Sequence, residues 1–346
     1  MLCAGDRILI HDISSDNSGR KHIMQRLVLL TVFVLLTVIP SMAQSHTISI
    51  EYPALYPEGI EYNFLTQAFL VSSAYEGTVF AVDRKGNIEP FIEDERLIAT
   101  LGLRVDAARS RLLVLNSDGG TARRSSPDTA VQTAGLGIYD LLTGDAIEYI
   151  DLADLVPDVP HFVNDLTVDP DGNIYITDSF TPAIYKVDST GNPEIFLLDE
   201  AFASEGGVGL NGIVYHPDGY LLVAQYTTGS LYKVPLDAPE RFELISVEVN
   251  IVGADGLLLL DEQNVVVVAN ATTNQVLWLS STDHWVSSTL VTSKPTGEVF
   301  ATTAVQIDET VYVVHGYLDR LVDPDNEDPV TTFEIQPIQF DENGGA

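Results

Sequence analysis

The sequence predicts an all-β protein folded as a six-bladed β-propeller, and three observations lead there. A five-residue pattern recurs: a variable residue, here termed X, then a small or acidic residue, an aliphatic one, any residue and an apolar one. Its copies are Glu58–Tyr62, Leu101–Val105, Asn164–Val168, Asn211–Tyr215, Asp255–Leu259 and, more weakly, Thr303–Ile307, at spacings of 43, 63, 47, 44 and 48 residues. Each copy turns into a second apolar run, least cleanly in the first unit: Gln67–Val71, Leu112–Leu115, Ile174–Thr177, Leu221–Ala224, Val265–Ala269 and Val311–Val314. Helical periodicity is almost absent, and Leu152–Val156 is at most a turn. A unit that returns roughly every 45 residues and consists of short strands points to blades around an axis. A large β-sandwich would also be all-β, but gives no reason for one motif to return so regularly.

In chain order, residues 1–43 read as a secretory signal peptide. Leu27–Ile39 is a 13-residue run, apolar apart from two threonines, preceded by Arg20, Lys21 and Arg26. Pro40-Ser41-Met42-Ala43 follows, with small residues where a signal peptidase reads. Met24 would make a compact start. A transmembrane anchor is the competing reading, and it needs about 20 apolar residues. Cleavage after Ala43 leaves one domain, 44–346, outside the cytoplasm: secreted or periplasmic. Thr47–Tyr52 alternates like a strand but has no partner in the first unit, whereas the sixth, ending in Thr331–Ile338, lacks a fourth strand. The N-terminal strand is therefore expected to close the ring and remove an exposed edge.

Third strands are expected at Gly77–Val82, Gly137–Asp140, Ala183–Val187, Ser230–Val234 and Gln275–Leu279, with shorter and more polar fourth strands. The long interval in the second unit places an insertion at 117–135, rich in Gly, Ser and Thr. It leaves the end of a second strand, so it should overhang the mouth where the X residues lie, as a lid. The turn Asp169-Pro170-Asp171-Gly172-Asn173 has the spacing of oxygen ligands. Its place in the repeat puts it at the opposite mouth, as a hairpin turn only.

Charge narrows the partners. The net charge is −33, and the first 43 residues hold four basic and three acidic side chains, so the mature chain carries −34. Its only lysines are Lys85, Lys186, Lys233 and Lys294. Such a surface repels nucleic acid and anionic membranes, and it suits solubility in salty surroundings or the attraction of cations; the expected partner is a small-molecule substrate, and a monomer is expected. The single cysteine, Cys3, lies in the leader, so neither disulfides nor thiol chemistry are expected in the mature domain.

The first strand of each propeller blade lines the central channel, so the X residues form a ring at one end. Four of the six, Glu58, Asn164, Asn211 and Asp255, bear acid or amide oxygens. Two carboxylates and two amides make a hard-oxygen set of charge −2, suited to Ca²⁺ or Mg²⁺ on the channel axis. Mn²⁺ and Zn²⁺ are further alternatives, although no cysteine or histidine stands at X to favour zinc. Each residue alone also fits a turn-capping role. Second-strand ends form another ring at the same mouth: Asn116, Asp178, Gln225, Asn270 and His315. They could orient the ligands or meet substrate, and Asp178 and His315 are the titratable members. Arg123 and Arg124 on the long loop could add positive charge from above, or be a solvated pair. His161 and His216 flank turns and look structural.

The stretches Pro57-Glu58-Gly59-Ile60, Asn164–Asn173, Leu210-Asn211-Gly212-Ile213 and Asp255-Gly256-Leu257 resemble, in blade order, the gluconolactonase and senescence-marker-protein family of six-bladed propellers, related to diisopropyl-fluorophosphatase. The resemblance implies that Glu58, Asn211 and Asp255 bind one divalent cation, with Asn164 a ligand or substrate contact. It implies hydrolysis of a lactone or organophosphate, with Asp255 as general base or nucleophile. Two positions depart from the family. Phe162 stands where members acting on sugar lactones carry an arginine, so the resemblance stops short of a sugar-acid lactone. Leu258 stands where a second metal site would need an acid. A metal-dependent lactonase or esterase is thus expected; the rival is a non-catalytic propeller that binds a ligand or partner, with the cation as a staple.

Overall fold

The computed structural model describes residues 46–326 and 328–340, so the leader expected at 1–43 lies outside the described residues. Six antiparallel sheets form the blades. From the axis outward, blade 1 is Ile60–Asn63, Ala68–Val71, Val79–Val82 and Ile88–Ile92, and blade 2 is Ala99–Asp106, Arg111–Ser117, Ala134–Asp140 and Ala146–Asp151. Blade 3 is Val163–Val168, Ile174–Asp178, Ala183–Val187 and Pro193–Leu198; blade 4 is Leu210–His216, Tyr220–Gln225, Ser230–Pro235 and Glu243–Leu244. Blade 5 is Ala254–Asp261, Asn264–Ala269, Gln275–Ser280 and Ser287–Pro295, with Ser246–Val247 added in parallel at its edge. Blade 6 is Ala301–Ile307, Thr310–His315, Thr332–Ile338 and, from the other end of the chain, Ile48–Glu51.

That last pairing closes the ring as expected. Ile48 faces Ile335, Ile50 faces Phe333 and Glu51 faces Thr332 in antiparallel register. Ile50 and Phe333 are wholly buried while Ser49 and Glu51 point outward, the alternation read from the sequence. Among the described residues no helix is long and apolar enough to cross a membrane.

Six apolar clusters hold the molecule together, and each sits between two neighbouring blades. Leu70, Val79, Leu103, Leu112 and Val114 join blades 1 and 2, for example, and Leu222, Leu231, Leu257, Val265 and Val267 join blades 4 and 5. Second strands are covered on both faces, which is why Leu221–Ala224 and Val265–Ala269 are continuous apolar runs. The turn at Asp169–Asn173 is a hydrogen-bonded hairpin turn. Asp169 Oδ1 accepts from the Asn173 amide N–H at 2.9 Å, its Oδ2 from Asn173 Nδ2 at 2.7 Å, and Gly172 has φ +91°.

Two devices shape the channel mouth. In blades 2 to 6 the first strand carries a β-bulge, and in blades 2 to 5 the X residue and its successor are the two unpaired residues. Val163 pairs Asp178 and Leu166 pairs Ile176, which leaves Asn164-Asp165 opposite Thr177 alone. Asn211-Gly212 and Asp255-Gly256 are bulged in the same way. A bulge re-aims a side chain out of the pleat, here toward the axis. The bulge in blade 6 spans Thr302-Thr303, so the counterpart of X is Thr302 and not Thr303, a one-residue correction to the sequence alignment. The second device is close approach. A Cβ on Gly59 would lie 2.5 Å from the Leu101 carbonyl oxygen, one on Gly102 2.6 Å from that of Asn164, and one on Gly212 2.3 Å from that of Asp255. The small residue after X exists because the next blade's X backbone packs against it.

Candidate active site

Glu58, Asn164, Asn211 and Asp255 come together. Each is 6% exposed or less, and all four line one cavity of about 440 Å³ at the mouth of the channel. Blade 1 presents Glu58 just ahead of its first strand, where Thr302 Oγ1 donates to the Glu58 carbonyl at 2.7 Å and the Gly59 amide donates to Ser72 Oγ at 2.6 Å. The Asn164 amide nitrogen donates to Ser179 Oγ at 3.1 Å, and that hydroxyl donates onward to the Leu210 carbonyl at 2.6 Å.

Asp255 is held most tightly. Asn270 Nδ2 donates to Asp255 Oδ2 at 2.5 Å and to the Ala301 carbonyl at 2.9 Å, while Tyr226 OH donates to Asn270 Oδ1 at 2.7 Å. Carboxylate and carbonyl only accept, so the Asn270 amide has one possible orientation and Tyr226 locks it. The Asn211 amide also favours the charged form of Asp255.

Two oxygens of the set are left over. Glu58 Oε2 and Asn164 Oδ1 are buried in this cavity without a hydrogen-bond partner. An unsatisfied buried acceptor costs about 1–3 kcal/mol, more if charged, so such atoms point to something that fills them.

Electrostatics agree. Burial pushes Asp255 up to about 7, with Asp165 adding to the rise and Asn270 and Asn211 opposing it. Burial raises Glu58 well above the usual carboxylate range, helped by Asp255 and Asp165. Asp165, the acidic second residue of the blade 3 motif, is itself pushed up to about 6 by burial, against Arg104 and the amides of Leu166 and Ile213. Arg104 is engaged by Glu61 at 3.0 Å. Buried carboxylates short of positive charge either take up protons or take up a cation. Among the described residues no group of three or more His, Cys, Asp or Glu side chains is spaced to hold a metal; half of this donor set is amide. Two carboxylates and two amides with unfilled acceptors fit a hard, oxygen-seeking divalent cation.

The other residues singled out in the sequence lie around this set. Asp178 is wholly buried beneath the blade 3 entrance, where it accepts from the Phe162, Phe180 and Thr181 amides and meets His161 Nδ1 at 2.8 Å. It shapes the loops that carry Phe162 and Phe180 and is not part of the cavity lining. His315 is turned toward the third strand of its blade, with Nε2 3.0 Å from Gln336 Oε1 and Nδ1 3.4 Å from Glu334, and burial lowers its pKa. Asn116 bonds the Arg96 carbonyl and Tyr149, and Gln225 bonds the Phe202 and Ala203 carbonyls. Of that ring, Asn270 alone touches the tetrad.

The 117–135 loop does reach the mouth, through Gly119 and Thr121. Its arginines face elsewhere. Arg123 pairs with Glu76 at 2.9 Å, and Arg124 donates to the Leu97 and Asp94 carbonyls at 2.7 and 3.1 Å, pinning the loop to the neighbouring blade edge. Sequence reading missed Tyr226, Phe180, Asp165 as a third carboxylate, and the short helix Leu318–Val322, three of whose residues line the cavity beside Asp319. Tyr226 and Phe180 directly follow, by one and two positions, the second-strand ends that were recognised, and that was the available signal.

No protein-family model matches the chain, and no curated protein matches its sequence. Among solved structures it is similar to the major allergen Mala s 1 of Malassezia sympodialis, at 15% identity and TM-score 0.67, over 87% of this chain and 99% of that one. It is similar to a gluconolactonase of Xanthomonas campestris, at 16% identity and TM-score 0.57, over 84% and 89% of the two chains. A luciferin-regenerating enzyme is similar at 12% identity and TM-score 0.57, over 84% and 95%. At such identities these likenesses establish the propeller fold.

Proposed function

We propose that this protein is a divalent-metal-dependent hydrolase of a lactone or related ester. One observation carries the reading: Glu58 Oε2 and Asn164 Oδ1, buried and unpartnered, line one cavity with Asn211 and an Asp255 braced by Asn270. Similarity to a gluconolactonase supports the reaction class. Glu58, Asn164, Asn211 and Asp255 would hold the cation, calcium first among the candidates. Bound there, it would polarise the substrate carbonyl and stabilise the negative charge that develops on its oxygen.

The chain's own groups do the rest. Asp255, held in place at the cavity by Asn270, is positioned to take a proton from an attacking water or to attack the carbonyl itself. Asn270 fixes its Oδ2, so the carboxylate does not have to be ordered at the moment of reaction. Phe162 and Leu101 keep bulk water from the carboxylates.

The test is a titration of calcium, magnesium and manganese against a panel of lactones and aryl esters. Metal-dependent turnover, lost in a folded Asp255→Ala variant, supports the enzyme. Tight cation binding that raises the melting temperature with no turnover on the panel would instead make this a binding propeller stapled by its ion. We further propose, from the apolar run Leu27–Ile39 and the small residues up to Ala43, that the protein is exported and acts as a monomer. Mass spectrometry of the native protein should find an N-terminus at Gln44, and one at Met1 would contradict export.

A further inference from the structure

The geometry points to a neutral substrate that carries an apolar chain, rather than a polyhydroxylated or anionic lactone. This rests on the hydrolase reading above and names the substrate class that reading leaves open. Above the four oxygen donors the cavity wall is apolar: Leu101, Phe162, Phe180, Val208, Phe300 and Leu321 face it from several blades. Phe162 and Phe180, both in that wall, stack at 5.0 Å between ring centroids with a 28° interplanar angle. At the rim Phe180 is 39% exposed and Val322 63% exposed, apolar surface that a bound chain would cover.

Hydrogen-bonding capacity is scarce by comparison. Outside the donor set the polar lining consists of Thr121, Tyr226 and Asp319, and the Tyr226 hydroxyl is already committed to Asn270. A polyol would leave several hydroxyls dehydrated and unpaired, each at a penalty a hydrated competitor avoids. Anions fare no better. Among the described residues no lysine or arginine lines the cavity, Asp319 does, and the chain carries a net charge of −33. The nearest cationic candidates, Arg123 and Arg124, are engaged with Glu76 and with backbone carbonyls.

The experiment measures kcat/KM, with calcium, for γ-lactones bearing unbranched chains from ethyl to octyl, against glucono-δ-lactone. The expected result is a rise of roughly 3- to 4-fold per added methylene until the wall ends, following the transfer free energy of a methylene group. Phe180→Ala and Phe162→Ala, checked for folding by melting temperature, should flatten that slope, raising KM most for the longest chains. Turnover of all these lactones with no dependence on chain length, or preference for glucono-δ-lactone, would overturn the inference and leave the hydrolase reading intact. If no lactone turns over, the lactone part of the hydrolase reading fails, and calorimetry of the same series decides the ligand class. Affinity that grows with chain length upholds the apolar ligand; absence of binding, or of growth, overturns it.

Discussion

Replacing Asp255 by Asn should stabilise the protein without its cation and weaken it with one, and the first half can be worked from the structure. Asp255 is buried, and its pKa rises from the ordinary 3.8 to about 7 on folding. A raised folded-state pKa means that the native state binds the proton more tightly than the unfolded chain. Stability from that proton is fully present below about pH 4 and is lost as pH rises through about 7. Each unit is worth 1.36 kcal/mol, so Asp255 alone should cost the cation-free protein roughly 4 kcal/mol across that window. Glu58, raised by burial and by the same neighbours, adds in the same direction. Urea unfolding in chelator between pH 5 and 8 would show wild-type stability falling steeply and Asp255→Asn falling less, so that the variant is the more stable at pH 8. Saturating calcium should reverse the order, because the cation stabilises only the folded carboxylate. A chelated wild type whose stability is flat over this range, or parallel to the variant's, would refute the reasoning.

Other perturbations test the supports. Asn270→Leu removes the group that fixes Asp255 Oδ2 and should lower cation affinity by about 10- to 100-fold in calorimetry, with Tyr226→Phe a milder version of the same effect. Ile50→Ala, in the strand that closes the ring, should cost about 2–5 kcal/mol in chemical unfolding, because Ile50 is wholly buried against blade 6. Gly212→Ala forces a methyl to within 2.3 Å of the Asp255 carbonyl and should abolish cation binding as the two blades part. The control Gly219→Ala meets nothing within 4 Å; its φ of +86° should cost only about 1–2 kcal/mol and leave binding intact, as a thermal-shift titration can show.

How far the sequence reads depends on whether a feature is written in a periodic signal. Blade count, second strands and ring closure by Ile48–Glu51 were legible because each blade repeats the same burial pattern, and Thr47–Tyr52 was the one strand without a local partner. The tetrad was legible because four X residues depart from the repeat in the same chemical direction. The register of blade 6 was not. Thr302 and Thr303 are identical in type, and only the bulge pairing of Ala301 with His315 and Ala304 with Val313 decides between them. The small residue after X was visible, but its cause, contact with the next blade's backbone, is a property of the closed ring. Asp178 and His315 looked like site groups because titratable residues at strand ends often are. Their partners, the Phe162 amide and Gln336, lie in segments whose proximity no spacing announces. The Leu318–Val322 helix is too short to leave a periodicity.

The central claim is that Glu58, Asn164, Asn211 and Asp255 form one cation site. Calorimetric titration of calcium into the chelator-stripped protein, beside Glu58→Gln and Asp255→Ala, tests it most directly. The account predicts one ion per chain for the wild type, with protons released on binding at pH 7, and loss of that binding in both variants while they remain folded. Wild-type protein that binds no divalent ion, or variants that bind calcium as tightly as the wild type, would contradict it.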